Sequence, residues 1–271
     1  MEEIRTTIGE INKSLEVYQS HYPRVDWDKD ATDDLILNFS YHSNKIEGLH
    51  LSYGETISFL KHGIIENKKL QDEETLGDIT MLSNHKKALE LILSEYKRKE
   101  ISIEFIKSIH EEILKTDTFL DDLNNPGHYR GDDAMVRRSD GTIKYFLYDN
   151  QIPEAMERLV QRTNACIISA DLTKLDLHPF TIAVNLHVDF LNIHPFRDGN
   201  GRMARLLMNM VNMKFKIPPF SPKSDKENRL KYFEAFNEVD KTGSSAPMIN
   251  FLGTQLVEVM EVAIGKASND T

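Results

Sequence analysis

The sequence predicts an all-α protein interrupted by a single β-hairpin, and three observations carry that expectation. Apolar residues recur at helical spacing over most of the 271 residues, as in Leu89, Leu91, Ile92 and Tyr96 and then Ile101, Ile106, Ile109 and Ile113. One segment breaks the period: Met135-Val136 and Ile143-Lys144-Tyr145-Phe146 are short β-prone runs on either side of Arg137 to Thr142, where Asp140-Gly141 is a turn signal. The composition, 40% hydrophobic and 28% charged, is that of an ordinary globular chain able to bury a sizeable core.

In chain order, helices are expected near 2–19, 29–47, 53–64, 74–98 and 102–115. Ser43-Asn44-Lys45-Ile46-Glu47-Gly48 closes the second of these, with Gly48 at the position after the cap, where a left-handed backbone favours glycine. The hairpin follows near 134–147, and its unpaired edges suit it to receive an extended peptide by strand addition. Further helices are expected near 151–170, 175–193, 199–214, 225–240 and 245–264. His178-Pro179-Phe180 has the features of a helix start with proline just inside, and Pro195 ends the helix it opens. Pro218-Pro219-Phe220-Ser221-Pro222 is a rigid link, and Lys266 to Thr271 reads as a frayed tail.

Several function classes are disfavoured. A net charge of -10 leaves no broad basic surface for nucleic acid, so any nucleotide must be met by a local basic focus. Cys166 is the only cysteine, which removes intrachain disulfides and thiolate zinc clusters and fits a reducing cytoplasm. Met1-Glu2-Glu3-Ile4-Arg5 opens an acidic amphipathic stretch, not a basic-then-apolar leader, and no apolar run is read as long enough for a membrane span.

The densest chemistry lies in His194-Pro195-Phe196-Arg197-Asp198-Gly199-Asn200-Gly201-Arg202, with Arg205 three residues on. His194 falls at the end of the helix whose buried face is Leu186, Phe190 and Ile193, and a new helix starts at Gly199 with Met203, Leu206, Leu207 and Met210 on its apolar face. The loop therefore ends at a helix N-terminus, where free amides and the dipole favour an anion, and Gly199 and Gly201 let those amides approach. Arg202 and Arg205 share one helix face and can fork onto successive phosphates, while the Asp198 carboxylate can hold a hard cation. His187 and His194 are seven residues apart, roughly 10 Å along a helix axis, and so cannot ligate one zinc ion.

The nonapeptide from His194 to Arg202 matches in full the signature HPFx[D/E]GNGR, and by it the chain resembles the Fic family over about residues 40–255. The resemblance implies a Fic-like helical bundle with one β-hairpin flap, divided into N-terminal helices 1–70, a catalytic core 71–265 and a tail 266–271. It also implies an activity, transfer of AMP from Mg-ATP to a Ser, Thr or Tyr hydroxyl of a protein, this chain itself included, by a monomer or homodimer. His194 would be the general base, Asp198 the Mg²⁺ ligand, and Phe196, Arg197, Gly199, Asn200, Gly201, Arg202, Arg205 and Tyr232 the nucleotide-binding set. Phe196 would anchor the loop, Asn200 and the neighbouring amides would cradle the phosphates, and Tyr232 would lie near the adenine. Met135, Val136 and Tyr145 of the flap would align the target. Doc-type kinases, which resemble the family, carry lysine where this chain has Gly201; the glycine implies the AMP-transfer orientation.

Beside that signature, Ser43 to Gly48 resembles the inhibitory pattern [S/T]xxxE[G/N], in the arrangement with the inhibitory helix N-terminal to the core. The resemblance implies that Glu47 pairs with Arg205 by a charge-assisted bond, single or bidentate, and takes the donor that the γ-phosphate needs, with Ser43 supporting the helix. Two alternatives stay open at this point: a hydrolase that removes AMP from a modified protein, and a nucleotide-binding regulatory module with little turnover.

Overall fold

The periodic segments are helices in the computed structural model, which describes residues 2–23, 33–65, 72–97, 100–115, 125–138 and 141–269. In order they are α1 (Glu2–His21), α2 (Asp33–Ile46), α3 (Tyr53–His62), α4 (Glu73–Glu95), α5 (Ile103–Leu114), the strands β1 (Met135–Arg137) and β2 (Ile143–Tyr145), α6 (Ile152–Ile168), α7 (Pro179–Ile193), α8 (Asn200–Lys214), α9 (Lys226–Thr242) and α10 (Ala246–Asn269). Polar residues at the starts take up orphan amides: Ser52 and Glu55 form a reciprocal capping box on α3, Ser102 accepts from Phe105 N, and Asp225 accepts from Asn228 N. His178 caps α7 in the same way through Phe180 N, with Pro179 at the first helical position.

The centre of the bundle is α7 and α8. Every residue of α8 from Arg202 to Met213 is buried, and Phe180, Ala183, Val184 and Phe190 of α7 are wholly inaccessible. Each such aliphatic or aromatic side chain contributes roughly 1.5–3 kcal/mol on burial, and so these two helices hold the loop between them against the deepest part of the core. One hydrophobic cluster runs from Ile8 and Ile11 of α1 to Leu256 and Met260 of α10, so the core is continuous across the expected 1–70 and 71–265 division. At Gly253 a Cβ would overlap Thr7 and lie 3.2 Å from Ile11, and the bare backbone is what lets α1 lie close along α10.

The second helix is described from Asp33, residues 29–32 of the expected one lying outside the described residues. Two expectations change. The supposed tail is largely helical, since α10 continues to Asn269, with 270–271 outside the described residues. The reading that no segment is apolar enough for a membrane is too strict: Ala246–Gly265 has the length and, at mean hydropathy 1.2, the composition of a span. In the fold its Met248, Leu252, Leu256 and Met260 are buried in the common core.

β1 and β2 form the expected antiparallel hairpin, with Met135 opposite Tyr145, Val136 opposite Lys144 and Arg137 opposite Ile143. Arg138 N donates to Thr142 O at 2.8 Å and Gly141 takes φ +85°, while Ser139 and Asp140 of the expected turn lie outside the described residues. The hairpin is the only sheet among the described residues.

Candidate active site

His194 caps the C-terminus of α7 in a left-handed conformation, φ 52° and ψ 59°, with its N–H on Phe190 O. A non-glycine residue there costs on the order of 1 kcal/mol or more, and the surroundings hold it in place. The Arg130 guanidinium donates from Nε to His194 O at 2.8 Å and from its two terminal nitrogens to Asp132 O and Leu147 O. Its own backbone N–H reaches Pro195 O at 2.9 Å. Arg130, 5% exposed, thus ties the signature loop to both ends of the hairpin segment.

Phe196 is fully buried beneath the loop and stacks on the His110 ring, centroids 3.6 Å apart and planes 9° apart. The tautomer of His110 follows from its neighbours. Gly127 N donates to Nδ1 at 2.9 Å, so Nε2 carries the proton and donates to Asp198 O at 3.0 Å. The Asn200 side chain closes the same loop, accepting from Phe196 N at 3.0 Å and donating to Phe196 O at 2.7 Å. In this arrangement Phe196 lies in the core, the Asn200 side-chain oxygen and one of its amide N–H groups are taken up by the loop, and Arg197 is exposed and turns to Asp132 at 3.1 Å.

Gly199, at φ 75°, starts α8, whose first-turn amides at Asn200, Gly201 and Arg202 have no intrahelical acceptor. Arg202 is buried, with Nη2 3.4 Å from the Asp198 carboxylate. The Asp198 side chain is otherwise 58% exposed and takes the Gly199 N–H at 2.6 Å. No group of three or more His, Cys, Asp or Glu side chains is assembled for a metal among the described residues. Any cation here would rest on the single hard carboxylate of Asp198 and on ligands brought by the nucleotide, a donor set suited to Mg²⁺.

Arg205 is wholly buried, and two of its three guanidinium nitrogens are taken up by the end of α2. Its Nε donates to Ser43 Oγ at 3.0 Å, and Nη2 donates to Ser43 O at 2.8 Å and to Glu47 Oε1 at 2.7 Å. Glu47 is thus held by a single bond, and Ser43 supplies the other two acceptors. Glu47 is aimed by the helix end: Gly48 takes φ +108°, Leu49 N bonds Asn44 O and Gly48 N bonds Lys45 O, which is the Schellman pattern with Glu47 at the cap. A Cβ at position 201 would overlap Glu47 Oε1, and so the missing side chain of Gly201 is what admits the carboxylate.

A cavity of about 540 Å³ opens beside these groups. His194, Gly201 and Arg205 line it on one side, Glu47 and Ile46 on another, Val136, Lys144 and Phe146 of the hairpin on a third, and Leu230, Phe233 and Phe236 of α9 on the fourth. Tyr232 also lines it, but is 2% exposed and bonds His187 Nε2 at 2.8 Å, which makes His187 the structural histidine expected. Met135 and Tyr145 stand on the outer side of the hairpin, 65% and 71% exposed, and Val136 is turned into the cavity.

The His194 ring is stacked on Phe146, 3.9 Å between centroids, and its Nδ1 is sealed from solvent, which leaves Nε2 as the nitrogen open to the cavity. Its pKa is pushed down to about 4, first by burial and then by the Arg130 charge, with Lys144 adding to the shift and Glu47 opposing it. The imidazole is therefore neutral near pH 7. Burial lowers Arg202 from its ordinary value. For Arg205, burial also opposes the charge and is the largest single influence, but Glu47 and Tyr232 together outweigh it and the pKa is raised.

Arg130, His110 and Phe146 carry no motif. Their only sequence signals are an arginine in the loop Gly127-His128-Tyr129-Arg130-Gly131, a histidine on an apolar helix face, and an aromatic at a strand end.

A buried helix start with free amides, a neutral histidine at its mouth and a hairpin at its rim thus come together around one cavity. Residues 100–211 match the Fic/DOC family, and the chain carries a Fic/DOC domain related to the protein adenylyltransferases. It is 31% identical over 228 residues to the protein adenylyltransferase Fic of Nematostella vectensis, covering 83% of this chain and 48% of that protein. It is 28% identical over 236 residues to the protein adenylyltransferase fic-1 of Caenorhabditis elegans, covering 86% and 42%. The chain thus spans about half the length of the curated relatives it matches. Among solved structures, a Fic domain containing signaling protein from Bacteroides thetaiotaomicron superposes with a TM-score of 0.82 at 27% identity, covering 96% of this chain and 97% of that one.

Proposed function

We propose that this protein transfers AMP from Mg-ATP to a Ser, Thr or Tyr hydroxyl of a protein, and that Glu47 holds the reaction off. The observation that carries the reading is that His194, Gly201, Arg205 and Glu47 line one cavity, with Arg205 already occupied by Glu47. His194 Nε2 takes the proton of the attacking hydroxyl as its oxygen bonds to the α-phosphorus; the bond from that phosphorus to the bridging oxygen breaks, and pyrophosphate leaves. The amides at the start of α8, with Arg202 and Arg205, bind the phosphates and stabilise the charge that develops on them. A magnesium ion held by Asp198 would, when bound, neutralise phosphate charge. The hairpin edge aligns the acceptor segment by main-chain pairing, an arrangement consistent with its exposed Met135 and Tyr145.

Restraint is a competition for one guanidinium. While Nη2 of Arg205 donates to Glu47, the γ-phosphate lacks that donor, and ATP sits with its α-phosphate out of line. We take the cytoplasm as the compartment, the single thiol of Cys166 being suited to a reducing setting.

A second reading uses the same geometry. The Glu47 carboxylate faces the cavity that His194 lines, where it could orient water against an AMP ester and make the resting protein a remover of AMP. Two assays separate the readings: incorporation from labelled ATP into lysate rises in Glu47→Gly if Glu47 holds transfer off, and release of AMP from a purified AMP-modified protein is faster with wild type than with Glu47→Gly if removal is the activity. His194→Ala in that background should abolish labelling and keep Mg-ATP binding. A Glu47→Gly protein that binds Mg-ATP and labels nothing, together with a wild type that releases AMP from a modified protein no faster than buffer, overturns both.

A further inference from the structure

The hairpin is too small to hold its own attitude. Its ladder is three residue pairs long, and a two-stranded hairpin without a packed face is at best marginally stable. Met135 and Tyr145 on the outer face touch little, so what fixes the hairpin must act on its inner face. Lys144 lies there, opposite Val136, and Arg138 follows β1 on the same side.

Both cations converge on one carboxylate from another part of the chain. Asp240, in the last turn of α9, accepts from Arg138 Nη2 through Oδ2 and from Lys144 Nζ at 2.7 Å through Oδ1. Lys144 Nζ also donates to Asn192 Oδ1 of α7 at 2.7 Å, two residues before His194. The side chains of Arg138, Lys144 and Asp240 are 21%, 18% and 18% exposed, which is dry enough for charge-assisted bonds to keep much of their strength. Arg130 holds the hairpin segment at its base through carbonyl oxygens, and Asp240 is the acid that reaches its free half. Removing that charge would leave two cations side by side on the inner face of the hairpin without their shared acceptor.

We propose that Asp240 is a positioning residue: through Arg138 and Lys144 it clamps the hairpin to α9 in the attitude that presents the hairpin edge to an acceptor protein. The clamp also bridges the mouth of the cavity, because α9 supplies its opposite wall through Leu230, Phe233 and Phe236. The inference rests on the proposed function for its meaning in catalysis, but not for its structural part.

Two readouts in a Glu47→Gly background keep those parts separate. Hydrogen exchange is measured over the hairpin for Asp240→Asn and Asp240→Glu, and AMP transfer is measured with an inactive His194→Ala copy of the chain as acceptor. Asp240→Asn should raise exchange of the 135–146 amides roughly tenfold, the effect of losing about one charge-assisted bond, with the amides of α7 and α8 unchanged. In transfer, the acceptor KM should rise by a similar factor with kcat little altered, and Asp240→Glu should restore most of both. Hairpin exchange unchanged by Asp240→Asn overturns the clamp, whatever the enzyme does. A loss confined to kcat, or accompanied by faster exchange throughout α7 and α8, also overturns it. Absence of transfer by the parent would count against the proposed acceptor chemistry and would leave the exchange result to decide the clamp.

Discussion

Replacing Glu47 with glutamine keeps the length of the side chain and removes its charge, which isolates the electrostatic part of the contact with Arg205. Nη2 and Oε1 are 2.7 Å apart, Arg205 is buried and the Glu47 side chain is 36% exposed. At an effective dielectric near 20, charges about 4 Å apart attract by roughly 4 kcal/mol. Solvent reaching Glu47 screens part of that attraction, the glutamine carbonyl still accepts a hydrogen bond, and the Ser43 acceptors remain. The net loss should be about 1–2 kcal/mol, or roughly a 5- to 30-fold larger fraction of molecules with Arg205 free for a phosphate. Initial rates of AMP incorporation from labelled ATP at saturating nucleotide read this directly, with thermal unfolding as the control for fold. Glu47→Gln should fall between wild type and Glu47→Gly. A rate equal to wild type, with the fold intact and Glu47→Gly activated, would mean that the side chain acts by bulk and not by competing for charge.

Further outcomes follow from the same geometry. Ser43→Ala removes the acceptor of Arg205 Nε, a buried bond of 3.0 Å, and leaving such a donor unpaired costs about 1–3 kcal/mol; basal transfer should rise, with no further rise when Glu47→Gly is already present, as initial rates would show. Phe196→Ala empties a fully buried site and removes the stack on His110, and should destabilise the fold by roughly 3–5 kcal/mol in urea unfolding. Acid should destabilise the protein from about pH 6.5 downward. His110, His178 and His194 are held down to about 4 and His187 to about 3, with burial the first cause in each, so between these values and the ordinary 6.5 the unfolded chain binds more protons than the folded one. Stability is therefore complete above pH 6.5 and lost as pH falls toward 4, by up to about 1.4 kcal/mol per unit for each histidine; a urea midpoint unchanged between pH 7 and pH 5 would contradict it.

Much of the architecture was legible because local chemistry and tertiary packing agree. The period of Ile106, Ile109 and Ile113 is the buried face of α5, and the His178-Pro179 start and Pro195 stop bound α7. Boundaries moved where the sequence has no strong punctuation, as at the C-terminal end of α10. The signature loop was readable as a phosphate site because glycine, arginine and a helix start have that meaning wherever they occur together. Its internal economy was not: Asn200 closes the loop on Phe196, and Arg197 turns out to Asp132. A residue type tells what bonds a side chain can make, but which partner it meets depends on the path of the backbone.

The sequence by itself determined an α-helical chain with one hairpin and a short stretch holding a base, a hard-cation ligand and an anion-binding helix start, because these are properties of neighbouring residues. Only the tertiary structure decided that Arg205 is buried against Ser43 and Glu47, 162 and 158 residues away, that Arg130 fixes the backbone of His194, and that Asp240 meets Arg138 and Lys144. Those pairings join segments distant in the chain, and no local spacing encodes them. They exist because packing α7 and α8 at the centre brings the end of α2, the hairpin and α9 to one cavity, where burial makes each charge depend on the partner it finds.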